Sequence, residues 1–261
     1  MSFKYILTST PRRGVLQITL NRPKALNALS THLIAEVLQA IGSVNNDLDN
    51  YGAVVLTGSN RAFAAGADIK EMQDLTAEDT IKQNFLGNWD EFSGFSIPII
   101  AAVEGFALGG GCELAMSADI IYASKKAVFG QPEVKLGVIP GGGGTQRLIR
   151  AIGKSRAMEF ILSGDTFNGV QAEQWGLVSK TFEPGTVLEE SLKLAERLAQ
   201  GPRLAVRACK KAVLVADETN LRAGLNFERN IFHSLFGSQE QKEGMSAFTE
   251  KRPAKWPGSK L

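Results

Sequence analysis

The sequence predicts an α/β fold, on three observations. Short apolar, strand-like runs alternate with helical patterns before Thr145. Helical periodicity dominates after it. The 27 glycines cluster, which marks places where backbone must come close to a ligand or to another backbone.

The elements follow in order. Val15 to Leu20 reads as a strand with Leu16, Ile18 and Leu20 on one face. Asn21 to Asn27 contains Pro23 and reads as a loop. Ser30 can cap a helix whose Leu33, Ile34, Val37, Leu38 and Ile41 share one stripe, with Gly42 weakening its end. Tyr51 to Thr57 is a second strand. A loop from Phe63 to Asp68 and a helical stretch from Ile69 to Met72 come next. Ile97 to Val103, Ile120 to Ala123 and Val128 to Phe129 are further strands. Helices are then expected over Thr145 to Ile152, Ser155 to Leu162, Val187 to Ala199, Arg203 to Val215, Leu221 to Phe236 and Gln239 to Thr249. Gly201-Pro202 interrupts that series. The expected division is therefore an α/β core over 1–197 and a helical region over 198–261.

Composition excludes several classes. With 261 residues, 44% hydrophobic and 21% charged, the chain can bury a sizeable core and is not disordered. A net charge of +2 gives no field for nucleic acid or an anionic membrane. No run approaches the ~20 apolar residues of a membrane span. Cys112 and Cys209 make no disulfide framework, so a reducing compartment is expected. His32 and His233 lack metal-ligand spacing, and no metal site is expected. Met1 to Gly14 is neither a signal core nor a transit peptide. The chain ends Ser259-Lys260-Leu261, the peroxisomal address read by an import receptor. In a eukaryotic source it implies the peroxisomal matrix; otherwise the cytoplasm is expected.

Two segments could carry chemistry. Gly109-Gly110-Gly111 opens a short helical pattern containing Glu113. Unpaired N–H groups at such a start can hold an anion or a growing oxyanion, and the alternative is a tight packing turn. Glu113, near that start, is either a favourable cap charge or a general base. Glu133 follows Pro132 and precedes an apolar stretch; it is either a solvated loop charge or a buried catalytic carboxyl. Two carboxyls meeting in an apolar cleft can have their proton affinities pushed apart. The run Pro140 to Thr145 lacks the Gly-Lys-Ser/Thr ending of a phosphate-binding loop and reads as a helix entry. No Gly-x-Ser-x-Gly elbow is present.

Read together, NRPKALNAL (21–29), FAAGADIKEM (63–72), IAAVEGFALGGGCELAM (100–116), FGQPEVKLGVIPGGGGTQRL (129–148), WGLVSK (175–180) and EGMSAFTEKR (243–252) resemble the crotonase, or enoyl-CoA hydratase/isomerase, superfamily over essentially the whole chain. The resemblance implies a spiral of ββα turns with a C-terminal helical trimerisation region, assembled as a homotrimer or homohexamer. It implies hydration of a trans-2-enoyl-CoA to a 3-hydroxyacyl-CoA, as in fatty-acid β-oxidation, with hydration of a specialised unsaturated acyl-CoA as an alternative. The coenzyme A thioester is then the substrate, and no cofactor is needed. The N–H groups of Ala67 and Gly110 would form the oxyanion hole. Glu113 would activate water for attack at Cβ, and Glu133 would protonate Cα. Ala65, Ala67, Asp68, Ile69, Lys70 and Gly110 would line the acyl-CoA path. Lys24 and Lys251 would meet coenzyme A phosphates. Val138 and Gly142 would bear on chain length, not on reaction type.

Three other activities compete. Double-bond isomerisation of a 3-enoyl-CoA needs only Glu133. RNA binding is opposed by the near-neutral charge. A paired-carboxylate glycosidase would leave the glycine clusters unexplained.

Overall fold

The computed structural model describes residues 3–256. The terminal Ser259-Lys260-Leu261 lies outside the described residues. Among the described residues, ten strands and twelve α-helices follow one another as β1 (Ile6–Arg12), β2 (Val15–Leu20), α1 (Thr31–Asn45), β3 (Ala53–Thr57), β4 (Ala62–Ala64), α2 (Ile69–Met72), α3 (Ala77–Lys82) and α4 (Glu91–Gly94). Next come β5 (Ile99–Val103), β6 (Phe106–Leu108), α5 (Gly110–Met116), β7 (Ile120–Ser124), β8 (Val128–Gly130), α6 (Gly144–Ile152) and α7 (Lys154–Ser163). The chain closes with β9 (Thr166–Asn168), α8 (Gly169–Trp175), β10 (Lys180–Phe182), α9 (Val187–Ala199), α10 (Arg203–Leu214), α11 (Leu221–Ser234) and α12 (Gln239–Thr249).

The strands build two sheets. The larger runs β1-β2-β3-β5-β7-β10 and the smaller β4-β6-β8-β9. Successive strands go alternately to the two sheets: β3 then β4, β5 then β6, β7 then β8. Helices follow each pair, so each turn of the chain is a ββα unit and the turns stack as a spiral. Every pairing is parallel except β1 with β2 and β8 with β9.

Period-2 patterning explains how the larger sheet buries both faces. Leu16, Ile18, Leu20, Val54, Leu56, Ile99, Ala101 and Val103 enter one core with α1 and the smaller sheet. The alternate residues Val15, Ala53, Val55, Ile100 and Ala102 pack against Val187, Leu192, Ala195 and Ala199 of α9. The expected face of Leu16, Ile18 and Leu20 is the observed one.

The structure adds elements that periodicity does not announce. β1 is an edge strand with most side chains exposed, so it carries no alternation. β4 and β6 have three residues each, too few for a pattern, and their strand character comes from pairing with each other. The Phe63–Asp68 stretch read as loop therefore begins in a strand. Beyond Thr145 the chain is not all helix, since β9 and β10 complete the two sheets.

Basic side chains attach α10 to the core. Arg203 donates to the carbonyls of Leu48 and Asp49 at 2.7 Å, and Arg207 donates to Asn45 O and to Ser96 Oγ. Lys210 donates to Ile97 O at 2.9 Å and pairs with Asp119 at 2.7 Å. Burial pushes Asp119 up and Lys210 down from their ordinary proton affinities, even though each faces its partner. Such a pair adds little net stability, but removing one member leaves the other buried and uncompensated. We therefore expect Lys210→Met to destabilise the fold by about 3 kcal/mol in urea unfolding. Asp119→Asn added to it should restore part of the loss. A single variant as stable as the parent would contradict this picture.

Candidate active site

In a parallel sheet the segments leaving adjacent carboxyl ends lie side by side. Here β4, β6 and β8 are neighbours in that order, with Leu108 opposite Gly130 and Ala107 opposite Ala64. The three segments that follow are Ala65 to Asp68, Gly109 to Glu113, and Gln131 to Glu133. They converge from positions up to tens of residues apart in sequence.

The first segment is braced from below by the 21–29 stretch. Asn27, buried and at φ 57°, donates to the carbonyls of Ala62 and Phe63 at 3.1 Å. Ala65 N–H donates to Leu26 O. Leu29 bridges Ala67: its N–H donates to Gly66 O, and its carbonyl accepts from Asp68 N–H. In that parallel pattern the residues flanking Ala67 bond Leu29, so the Ala67 N–H faces away from it. It faces α5. A methyl placed on Gly110 would lie 3.5 Å from the Ala67 nitrogen.

The second segment is α5. Gly109, at φ 51° in the left-handed region, caps it, and its N–H continues the ladder to Gly130 O at 2.9 Å. Gly111 lets the helix start rest on β4, because a side chain there would collide with the Ala64 carbonyl. Gly110, the first residue of α5, is thereby set beside the Ala67 nitrogen.

Glu113, one turn in, is 3% exposed. Its Oε1 accepts from Gly142 N–H at 2.8 Å and from Gly144 N–H at 2.7 Å. The glycine run that reads as a simple helix entry is thus a carboxylate holder at the start of α6. Trp89, 5% exposed, closes this side. A methyl on Gly142 would stand 2.7 Å from the Trp89 ring and 3.0 Å from Glu113 Oε2. One oxygen of Glu113 is therefore saturated, and the other is held in a narrow space.

Glu133 stands in the 3-10 turn Pro132–Leu136 after β8, with Oε1 2.8 Å from where a Gly109 Cβ would be. Buried Gln131 lies against the carboxyl and, with its amide nitrogen turned toward it, can donate to both Glu133 oxygens at 3.1 and 3.2 Å. Burial pushes Glu133 up to about 7, and the Glu113 charge pushes in the same direction. Burial raises Glu113 as well, but the N–H groups of Gly144 and Gly142 and the charge of Arg147 oppose the rise. Glu113 thus has donors that favour its ionised form, and Glu133 is the partner better suited to keep a proton. Cys112, also buried here, has its thiol pushed above the ordinary range by burial and stays protonated.

The remaining sequence candidates are placed as follows. The Asp68 carboxylate pairs with Arg22 at 2.7 Å and caps α2 through Lys70 N–H, so its side chain is occupied in bracing the loop. Ile69 and Lys70 are exposed on α2. Lys24 is exposed on the 3-10 turn Pro23–Ala25, in the same brace as Ala65. Lys251 lies just past α12, exposed at φ 54°, and no hydrogen bond or ion pair among the described residues joins it to the cleft. Trp89, Gln131, Gly144 and Arg147 are the site residues that sequence reasoning did not single out. The Gly-rich run before Thr145 was their one visible signal. No cluster able to hold a metal occurs among the described residues.

A buried carboxyl and a half-buried one with unequal donor sets, close to the backbone of Gly109 and Gly142, can act as a general acid–base pair. The comparisons agree with that class. Residues 10–259 match the family described as Enoyl-CoA hydratase/isomerase. A relative from Dictyostelium discoideum, "Probable enoyl-CoA hydratase, mitochondrial", is 53% identical, covering 97% of this chain and 92% of its own. A "Probable enoyl-CoA hydratase" from Rhizobium meliloti is 51% identical, covering 98% and 99%. The solved structure of an enoyl-CoA hydratase subunit I from Geobacillus kaustophilus superposes with a TM-score of 0.95 at 45% identity, over 99% of this chain and 100% of that one. The chain belongs to the enoyl-CoA hydratase/isomerase family.

The contact between Trp89 and Gly142 leaves no room for a methyl. Gly142→Ala should cost about 1–3 kcal/mol in calorimetric unfolding and shift tryptophan emission. An unchanged unfolding profile and spectrum would show that the ring does not rest on this loop.

Proposed function

We propose that the chain is an enoyl-CoA hydratase, adding water across the double bond of a 2-enoyl-CoA to give a 3-hydroxyacyl-CoA. The observation that carries this is the presence of both glutamates at one site with unequal donor sets. The names of the relatives point to the same reaction.

In the proposed step the thioester oxygen sits on the N–H groups of Ala67 and Gly110. Glu113 Oε2 takes a proton from water as the water oxygen bonds Cβ. The π electrons move onto the thioester oxygen, and fixed donors stabilise that charge with little reorganisation. Glu133 then gives its proton to Cα as the carbonyl re-forms. The net change is one water added. Glu113 ends protonated and Glu133 ionised, and proton exchange between them or with solvent resets the site. Coenzyme A enters as part of the substrate, and the step calls for no metal or redox group. Ala65, Ile69 and Lys70 flank the path beside Ala67, while Lys24 and Lys251 are proposed phosphate contacts, Lys251 acting from a neighbouring copy.

Isomerisation of a 3-enoyl-CoA needs a proton shuttle at Glu133 but no activated water. The donors committed to Glu113 favour hydration over it. A trimeric or hexameric assembly is proposed, supported by large apolar side chains exposed on the last helices: Leu221 at 79%, Phe232 at 56% and Phe248 at 87%. No helix of the described residues is long and apolar enough to cross a membrane. For location, the relatives include a mitochondrial protein and a bacterial one. Peroxisomal import therefore rests on the terminal tripeptide alone and applies only to a eukaryotic source, with the cytoplasm as the location otherwise.

The test is loss of enoyl-thioester ultraviolet absorbance with crotonyl-CoA. Glu113→Gln and Glu133→Gln should each lower turnover by at least ~10²-fold while folding normally. Wild-type turnover in either variant would exclude the proposed pair. Turnover of a 3-enoyl-CoA that survives Glu113→Gln, with no hydration by the parent, would favour isomerisation. The sign of the pH dependence follows from Glu133 as the acid: kcat should fall as pH rises past about 7 and Glu133 loses its proton.

A further inference from the structure

The loop that holds Glu113 is itself held from two sides. Trp89 lies against Gly142 on one. On the other, Arg147 of α6 donates from Nη1 to the Gly142 carbonyl oxygen at 2.9 Å. That carbonyl belongs to the Gly142–Gly143 peptide. The two N–H groups on Glu113 belong to the peptides immediately before and after it. Arg147 therefore pins the one peptide plane that sits between the two donors.

The backbone is shaped around this arginine. Gly143 adopts φ 107°, and a Cβ there would collide with the Arg147 guanidinium. The side chain thus folds back over the start of its own helix and fills the space that a residue at 143 would take. A guanidinium suits this task, because its planar fork holds a fixed direction. With the central peptide free to rotate, neither neighbouring N–H would be constrained to point at the carboxylate.

We infer that Arg147 is a positioning residue: it locks the Gly142–Gly143 peptide so that both flanking N–H groups stay on Glu113 Oε1 and Oε2 alone faces the water. This rests on Glu113 being the base. The charged and titratable groups around Glu113 are Arg147 from α6, Glu133 from the turn after β8, and Cys112 on its own helix. Of these, only Arg147 favours the ionised carboxylate. Removing it takes away a positive charge and loosens two donors, and both changes raise the proton affinity of Glu113. The base is then ionised only at higher pH.

The experiment uses the full chain with crotonyl-CoA and the variants Arg147→Met and Arg147→Lys. In Arg147→Met, kcat should fall about tenfold with KM changed less than about twofold, the pattern of a lost transition-state contribution. The acidic limb of kcat should move to higher pH. The amide hydrogens of Gly142 and Gly144 should exchange at least about tenfold faster. Arg147→Lys keeps the charge and a donor, and should recover part of kcat and return the limb toward the parent. A Met variant with the parental kcat, limb and amide exchange would overturn the inference. So would a loss confined to KM, which would make Arg147 a substrate contact instead. If Arg147→Met does not fold, Arg147→Gln keeps a donor without the charge and must still shift the limb upward; an unmoved limb would overturn the role. A parent inactive on crotonyl-CoA would remove the hydratase proposal, and the amide exchange would still decide on the lock.

Discussion

A buried carboxyl and a half-buried one at the same spot cannot both be ionised cheaply, and the rest of the site is arranged around that constraint. The fold resolves it by giving the two unequal company. Glu113 receives two backbone N–H groups and faces a guanidinium. Glu133 has only the neutral Gln131 amide beside it and faces the charge of Glu113. Burial raises both, and the donors decide which one keeps the proton.

The donors come from helix starts, and the helix starts are made possible by missing side chains. Gly111 allows α5 to rest on β4, which brings Gly110 beside the Ala67 nitrogen. Gly142 and Gly144 bring the start of α6 onto Glu113. The short strands of the smaller sheet bury Phe63, Ala107, Phe129 and Phe167 in the main core, and they end next to one another. The larger sheet, sandwiched between its two cores, supplies the rigidity. Arg22 and Asn27 extend that rigidity to the Ala67 loop by bonding backbone and carboxylate groups there.

Much of this was legible in the residues. Period-2 runs identified β2, β3 and β5, and the apolar stripe of Leu33, Val37 and Ile41 identified α1. Gly110 and Glu113 were readable as a helix start with an acid one turn inside it. Three-residue strands such as β4 and β6 were not, because their hydrogen bonds join residues far apart in sequence and leave no local period. The convergence of Glu113 with the Gly142–Gly144 loop was also hidden, since it depends on which strands are neighbours. Glu133 looked like a solvated loop charge by composition; the structure instead lays it against Gly109 and Gln131. Asp68 read as a path-lining acid, and its carboxylate is taken by Arg22.

The most direct test of the constraint is a carbon-13 carboxyl titration of Glu133 in the substrate-free protein. The account predicts a midpoint of about 7 for Glu133, lowered only modestly when Glu113→Gln removes the neighbouring charge, because burial is the larger cause. A midpoint near the ordinary glutamate value of about 4.3 in the parent would contradict it. The two carboxyls would then both be ionised at neutral pH, and Glu133 would have no proton to deliver.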